Sequence, residues 1–310
     1  MKNKIFNFTI LALFSLLIAL IFFNNKDVMS SIVGGVNLWL TKVFPSLFPM
    51  FVISDILIHY GLAKYSSRLL TPFTKILFKV DGSSAYVFCM SLLSGCPSNA
   101  YITKELLEKG HISSSDATKV LCFSFFCNPL FLLGILSAIF PNNSVLVIKI
   151  ILIHYLTNVI VGFLFRNYKQ LASNMEQVIV SSENKHQDFG TILSKSINRS
   201  INTLTTILGT IIFYIVVSTS ILEILSLPIF CASVVKGILE ITQGLNSLVL
   251  INVQEFTKAL LSVGFISFGG LSIHTQIKSI ISDTSISYKQ FLKARLIHAS
   301  IAILILALTL

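Results

Sequence analysis

The sequence predicts an all-α, polytopic integral membrane protein of about 7–9 hydrophobic segments, with two repeats of inverted topology that carry re-entrant or broken helices. Three observations predict it. Of the 310 residues, 54% are hydrophobic and only 12% are charged, where soluble domains carry about 25% charged residues. Apolar windows recur at about 20 residues, the length a helix needs to cross a hydrocarbon core of about 30 Å. Three further apolar segments are interrupted by glycine, proline or charge.

The first segment, 5–23, follows Lys2 and Lys4. Its apolar run is longer than a signal-peptide core, and no small-x-small cleavage site follows in NNKDVMSS, so it is expected to stay as an anchor, with 1–31 as anchor and loop. The other clear spans are 32–58, 120–140, 145–165, 201–222 and 296–310. Lys2 and Lys4 place the N-terminus in the cytoplasm, and Lys64, Arg68, Lys75 and Lys79, against Asp81, place 59–84 there as well. The uncharged turn PNNS at 141–144 lies outside, and Arg166 and Lys169 bring the chain back in. Segment 85–102 therefore has cytoplasmic chain on both sides, and is expected to dip into the membrane and return, its tip at Gly95-Cys96-Pro97. The polar stretch 166–200 reads as a cytoplasmic linker between a first repeat, 32–165, and a second, 201–310.

The repeat is read by laying SGCPSNAYITKELLEKGHISSSDATK over FGGLSIHTQIKSIISDTSISYKQFLK at an offset of 174 residues. This pairs Gly95 with Gly269, Ser98 with Ser272, Lys104 with Lys278, Ile112 with Ile286, Ser113 with Ser287 and Lys119 with Lys293. Paired broken helices in inverted repeats point to a transporter site near the membrane midplane. That reading puts 278–295 outside, against its excess of lysine and arginine; a full span at 257–278 would put it inside.

At the breaks, Pro97 suits a first helical position, since its missing N–H would have no partner anyway. The free N–H groups of Ser98 and Asn99, and those behind Gly269-Gly270, then form helix N-termini with a partial positive charge of about +0.5, which favours anions. Ser98, Ser272, Asn99, His274 and Gln276 would add side-chain donors; the competing reading is that small residues here only let helices approach closely. Lys236 and Glu240 stand four residues apart in VVKGILEITQG, either facing a cavity or pairing at the interface, because charge inside a bilayer is costly. Asn128 beside Pro129 interrupts FFCNPLFLLG, as a cap or a substrate contact.

Other classes lack support. The net charge of +10 sits in loops between apolar segments, which fits membrane topology and not nucleic-acid binding. The five cysteines and six histidines show no metal-ligand spacing, so neither metal nor cofactor is expected. No serine-histidine-acid set, HExxH or phosphate loop is present, so no enzyme is expected, and the oligomeric state is left open.

Taken together, SGCPSNAYITKELLEKGHIS, FFCNPLFLLG, VKGILEITQG and ISFGGLSIHTQIKSII resemble the YlbJ family of sporulation integral membrane proteins. The resemblance implies two Gate-type (nucleoside-recognition) repeats related to the hairpins of concentrative nucleoside transporters. It also implies transport of a small organic anion, dipicolinate, from the mother cell across the outer forespore membrane. Gly95, Pro97, Ser98, Asn99, Gly269, Gly270 and Ser272 would form that site, with Asn128, Glu240, His274 and Gln276 beside them. Cys96 and Asn99 depart from the family's aromatic residue and glycine, which bears on substrate preference. A nucleoside permease and a non-transporting membrane scaffold are the alternatives.

Overall fold

The computed structural model describes residues 2–23, 25–60, 62–80, 82–169 and 188–310. The middle of the expected linker, 170–187, lies outside the described residues, as do the side chains of Lys2, Lys4 and Lys64. Every regular element among the described residues is helical. Helix α1 (Lys2–Phe23) is followed by α2 (Asn25–Leu38), which runs through a π-helical turn, Trp39–Val43, into α3 (Phe44–His59). Next come α4 (Leu62–Phe78), α5 (Gly82–Ser94), α6 (Ser98–Glu108), α7 (Ser114–Phe123), α8 (Pro129–Ile139) and α9 (Ser144–Phe165). The second half has α10 (Phe189–Leu225), α11 (Ile229–Leu239), α12 (Ile241–Leu250), α13 (Glu255–Phe268), α14 (Gly270–Ile280) and α15 (Tyr288–Thr309). Among the described residues five stretches are long and apolar enough to cross a membrane, namely Asn25–Leu57, Ser144–Phe165, Phe189–Leu225, Glu255–Ile280 and Tyr288–Thr309.

Hydrogen bonds fix which ends share a face. At the charged face, Lys79 Nζ bonds Asn167 at 2.8 Å, Lys119 Nζ the Lys79 carbonyl at 2.6 Å, and Lys104 Nζ the Asp283 carboxylate at 2.7 Å. Ser114 donates to the Ser285 carbonyl and the Ser287 N–H to Thr118 at the same face. At the far face, Asn143 meets Glu255 at 2.8 Å and Lys149 bonds the Thr309 carbonyl.

These anchors give the topology. Helices α5 and α6 leave the charged face and return to it, folded at Gly95–Pro97, so the expected re-entrant hairpin is present. Helices α7 and α8 make one crossing to the far face, unwound over residues 124–128. In the second half, α11 and α12 fold against each other so closely that a methyl group on Gly244 would collide with Gly237, a hairpin turning at Glu240 and opening to the far face. Helices α13 and α14 cross from Glu255 at the far face to Asp283 at the charged face, broken at Gly269. Each half thus holds a hairpin, a broken crossing and an unbroken closing helix, α9 or α15, and the hairpins open to opposite faces.

Inverted topology therefore holds, but the correspondence at an offset of 174 does not. It matched a hairpin tip, 95–97, to a broken crossing, 269–270. The geometry instead sets 95–97 against Glu240, and 124–128 against 269–270. The placement of 278–295 outside is corrected with it: Lys104 and Ser114 bind this segment at the charged face, as the full span anticipated.

Candidate functional site

The four breaks meet. Gly95, at φ +78, would place a Cβ 2.8 Å from the Asn128 nitrogen, so the first hairpin tip rests on the unwound crossing. The Cys96 N–H donates to the Phe126 carbonyl at 2.8 Å across the same contact. In the second half the relation recurs with the glycine on the crossing: Gly270, at φ +69, would place a Cβ 3.0 Å from the Ile241 nitrogen and 3.4 Å from Glu240 Cα. Gly269 lies under the Phe125 ring, which joins the two crossings.

Unwound backbone at membrane depth must find its hydrogen bonds inside the protein, and α9 and α15 supply them. Asn158 donates to the Phe125 carbonyl at 2.8 Å and Tyr155 to the Cys127 carbonyl at 3.0 Å, and the Cys127 N–H donates to His154 Nε2 at 3.2 Å. Arg295, fully buried, donates to the Cys122 carbonyl at the end of α7, reaches Asn158 Oδ1 at 3.3 Å, and lies 4.5 Å over the Phe125 ring. Among the described residues no carboxylate pairs with Arg295. Its charge faces a helix C-terminus, where a cation is favoured. His298 Nε2 holds the His154 carbonyl at 3.0 Å.

Between the breaks is a cavity lined by Pro97, Asn128, Glu240, Thr242, Ser272 and Gln276, with Cys96 and Cys127 beside them and apolar walls from Val43, Leu47, Phe131, Ile207, Ile211 and Ile273. Counted by where a water's centre fits, about 60 Å³ is open, room for a few waters. Helices α8, α12 and α14 begin at this cavity, and two of those starts are capped. Asn128 Oδ1 accepts the Leu130 N–H at 2.9 Å and the Phe131 N–H at 3.2 Å, with Pro129 at the first helical position. Glu240 Oε2 accepts the Gln243 N–H at 2.7 Å and the Thr242 hydroxyl. The start of α14 has no side-chain cap, and Ser272 on its first turn is buried with a hydroxyl that closes no hydrogen bond.

Of the residues expected at the site, the cavity brings together Pro97, Asn128, Glu240, Ser272 and Gln276, and Gly95, Gly269 and Gly270 form the contacts that hold it. Three expected residues stand elsewhere. Ser98 does not line the cavity. Asn99 is buried and turned to Ser124, with Nδ2 at 3.4 Å from its hydroxyl. His274 bonds the Phe268 carbonyl at 3.0 Å and the Tyr288 hydroxyl at 3.1 Å. Of the two readings of Lys236 and Glu240, the cavity one describes Glu240 and the pairing one does not hold. The helix ends at Leu239, so Glu240 turns into the cavity and no ion pair joins the two among the described residues. Thr242, His154, Asn158, Arg295 and His298 were not anticipated. Their signal is present in the sequence: His154 and Asn158, and Arg295 and His298, are polar pairs at helical spacing inside apolar helices.

Residues 40–142 match the Gate family, described as nucleoside recognition. The chain is 28% identical over 308 residues to the Sporulation integral membrane protein YlbJ of Bacillus subtilis (strain 168), an alignment spanning 88% of this chain and 76% of that protein. The resemblance read from the four sequence blocks is borne out as a similarity to YlbJ and, over residues 40–142, to the Gate family, and the chain is an integral membrane protein. No solved structure matches.

Proposed function

We propose that the protein is a permease, not an enzyme, that moves a small organic anion through the cavity between the four breaks. Dipicolinate, passed from the mother cell across the outer forespore membrane, is the substrate we assign to it. One observation carries the permease reading: hairpins that open to opposite faces, and the two broken crossings, bring their tips to one cavity, apolar in its walls with a few polar groups at the breaks. Such an arrangement lets either face be opened in turn around a fixed site. A scaffold would need no unwound backbone there, given the cost of satisfying it away from water. For an anion, the donors are the uncapped start of α14, the free hydroxyl of Ser272 and the amide of Gln276. The role in spore formation rests on the likeness to YlbJ.

One observation favours a second reading. The carboxyl of Glu240 stands in the cavity, and an acidic group beside amides and hydroxyls suits an uncharged polar solute such as a nucleoside, as the Gate description has it. The test is uptake of radiolabelled dipicolinate and of uridine by vesicles reconstituted with the full chain, together with dipicolinate assays of spores and mother cells from a deletion strain. Dipicolinate uptake, with dipicolinate retained in mother cells of the deletion strain, supports the first reading. Uridine uptake alone selects the second, and absence of both returns the protein to a scaffold.

A further inference from the structure

Glu240 is 1% exposed and has no cationic partner among the described residues. The groups around it are few. From its own hairpin come Thr242 and the Gln243 N–H, and Lys236 one turn back offers its carbonyl to the Glu240 N–H at 2.7 Å. Helix α14 presents Ser272 and Gln276, while its His274 is engaged by Phe268 and Tyr288. Across the cavity stand the thiols of Cys96 and Cys127 and the amide of Asn128, and α10 contributes Ile207 and Ile211.

Resting on the anion reading above, we propose that Glu240 is the coupling site of this permease: it takes up one proton as an anionic solute enters the cavity, and proton and anion cross together. The carboxylate alone is held at the start of α12 by two hydrogen bonds and the helix dipole. A second negative charge in a water-poor cavity disfavours that ionised form, because like charges at short range in a low dielectric repel strongly. Uptake of a proton converts the carboxylate to the acid. Both hydrogen bonds fall on Oε2, so the proton sits on Oε1, and it leaves with the anion when the opposite face opens. Ser272 is built for both states. Its buried hydroxyl closes no full hydrogen bond but stands close enough to act on the Glu240 carboxyl, and it can donate to the carboxylate or accept from the acid, since a hydroxyl does either.

The test uses full-length protein in vesicles with the membrane potential clamped, with dipicolinate as the solute and an internal pH dye. Expected is a several-fold faster uptake when the outside is made acidic, dipicolinate-dependent acidification inside, and no response to a sodium gradient. In Glu240→Gln the ratio of uptake with and without the pH gradient should fall to one, whatever rate remains. Should that variant be inactive, dipicolinate-induced proton uptake by wild-type protein in weakly buffered detergent decides the matter. Dipicolinate uptake that ignores the pH gradient, or that follows sodium, overturns proton coupling and leaves the permease standing. Neither uptake nor exchange of dipicolinate by the wild type would overturn both.

Discussion

Gly95 lies so close to Asn128 that a methyl group added to it would stand 2.8 Å from the Asn128 backbone nitrogen, and its φ of +78 already disfavours a side chain. The turn of the first hairpin and the cap of α8 are thus one contact. Gly95→Ala is expected to push the tip away from residues 126–128, at about 1–2 kcal/mol for the backbone conformation alone. Solute uptake per molecule should fall at least about tenfold, as a misplacement near 1 Å in a binding constellation does, while the protein still reaches the membrane. Uptake normalised to the amount of protein in the membrane checks this.

Ser98 and Ser272 were expected to be equivalent, and the fold separates them. Ser272 is buried on the cavity wall with a free hydroxyl, whereas Ser98 is half-buried and off the wall. Ser272→Ala removes at most a weak contact with the Glu240 carboxylate, so its melting temperature should stay within about 2 °C, a surface-like change of under about 0.5 kcal/mol. Substrate uptake should nonetheless drop severalfold, with the loss in apparent affinity. Ser98→Ala should leave uptake unchanged; equal effects of the two substitutions would return the site to the symmetric reading.

How far these breaks were legible depends on what made each one. Gly95-Cys96-Pro97 announces itself, because a glycine at positive φ and a proline both end a helix locally. Glu240 does not. Residues 234–244 hold no proline and read as one run with Lys236 and Glu240 at helical spacing, and the break goes with the tertiary contact of Gly237 with Gly244 and of both with Phe265. The mistaken pairing of 95–97 with 269–270 has the same root: both tips need glycine and serine, so letters alone match a hairpin to a crossing. Lysine and arginine bias, which is set by the membrane and not by packing, placed 59–84 and 166–169 correctly on one face, and its excess in 278–295 already spoke against the offset of 174. The supporting shell of His154, Asn158 and Arg295 was visible only as polar residues in apolar runs, and which backbone groups they hold follows from the three-dimensional crossing of α9 and α15 with residues 122–127.

Arg295 is a buried cation whose partners are all uncharged: the Cys122 carbonyl, Asn158 Oδ1 and the faces of Phe125 and Phe291. Arg295→Met would leave the Cys122 carbonyl and Asn158 Oδ1 unpaired, at about 1–3 kcal/mol each for a buried polar group, offset in part by the desolvation of the guanidinium that is no longer needed. A net loss of stability is expected, read as a lower melting temperature in detergent. Arg295→Lys should recover little of it, because a single ammonium cannot reproduce the planar fork and the ring stacking. Recovery by lysine to wild-type stability would show that charge alone matters there.

Lys104 on α6 and Asp283 beyond α14 form the charged-face link between the first hairpin and the second broken crossing, at 2.7 Å and 2.8 Å to the two carboxylate oxygens. Each raises or lowers the other: the hydrogen bond to Asp283 raises the Lys104 ammonium above 10.5, and the bond from Lys104 lowers the Asp283 carboxyl below 3.8. The sign follows for each. The lysine contribution is complete below about 10.5 and is lost as pH rises through the raised folded value; the aspartate contribution is complete above about 3.8 and is lost as pH falls through the depressed folded value. The link therefore stays closed across the whole neutral range, and pH does not gate it. Solvent and salt screen a pair this exposed, so its effect lies in holding the hairpin near residues 281–287 more than in overall stability. Lys104→Glu or Asp283→Lys alone should increase modification of Cys96 by a membrane-permeant thiol reagent, as the first hairpin loosens over the cavity that Cys96 lines. The double exchange, Lys104→Glu with Asp283→Lys, should return the modification rate to that of the wild type between pH 5 and 9, about the range in which both charges persist. If the double exchange modifies as fast as either single variant, the contact is incidental to the closure of that face.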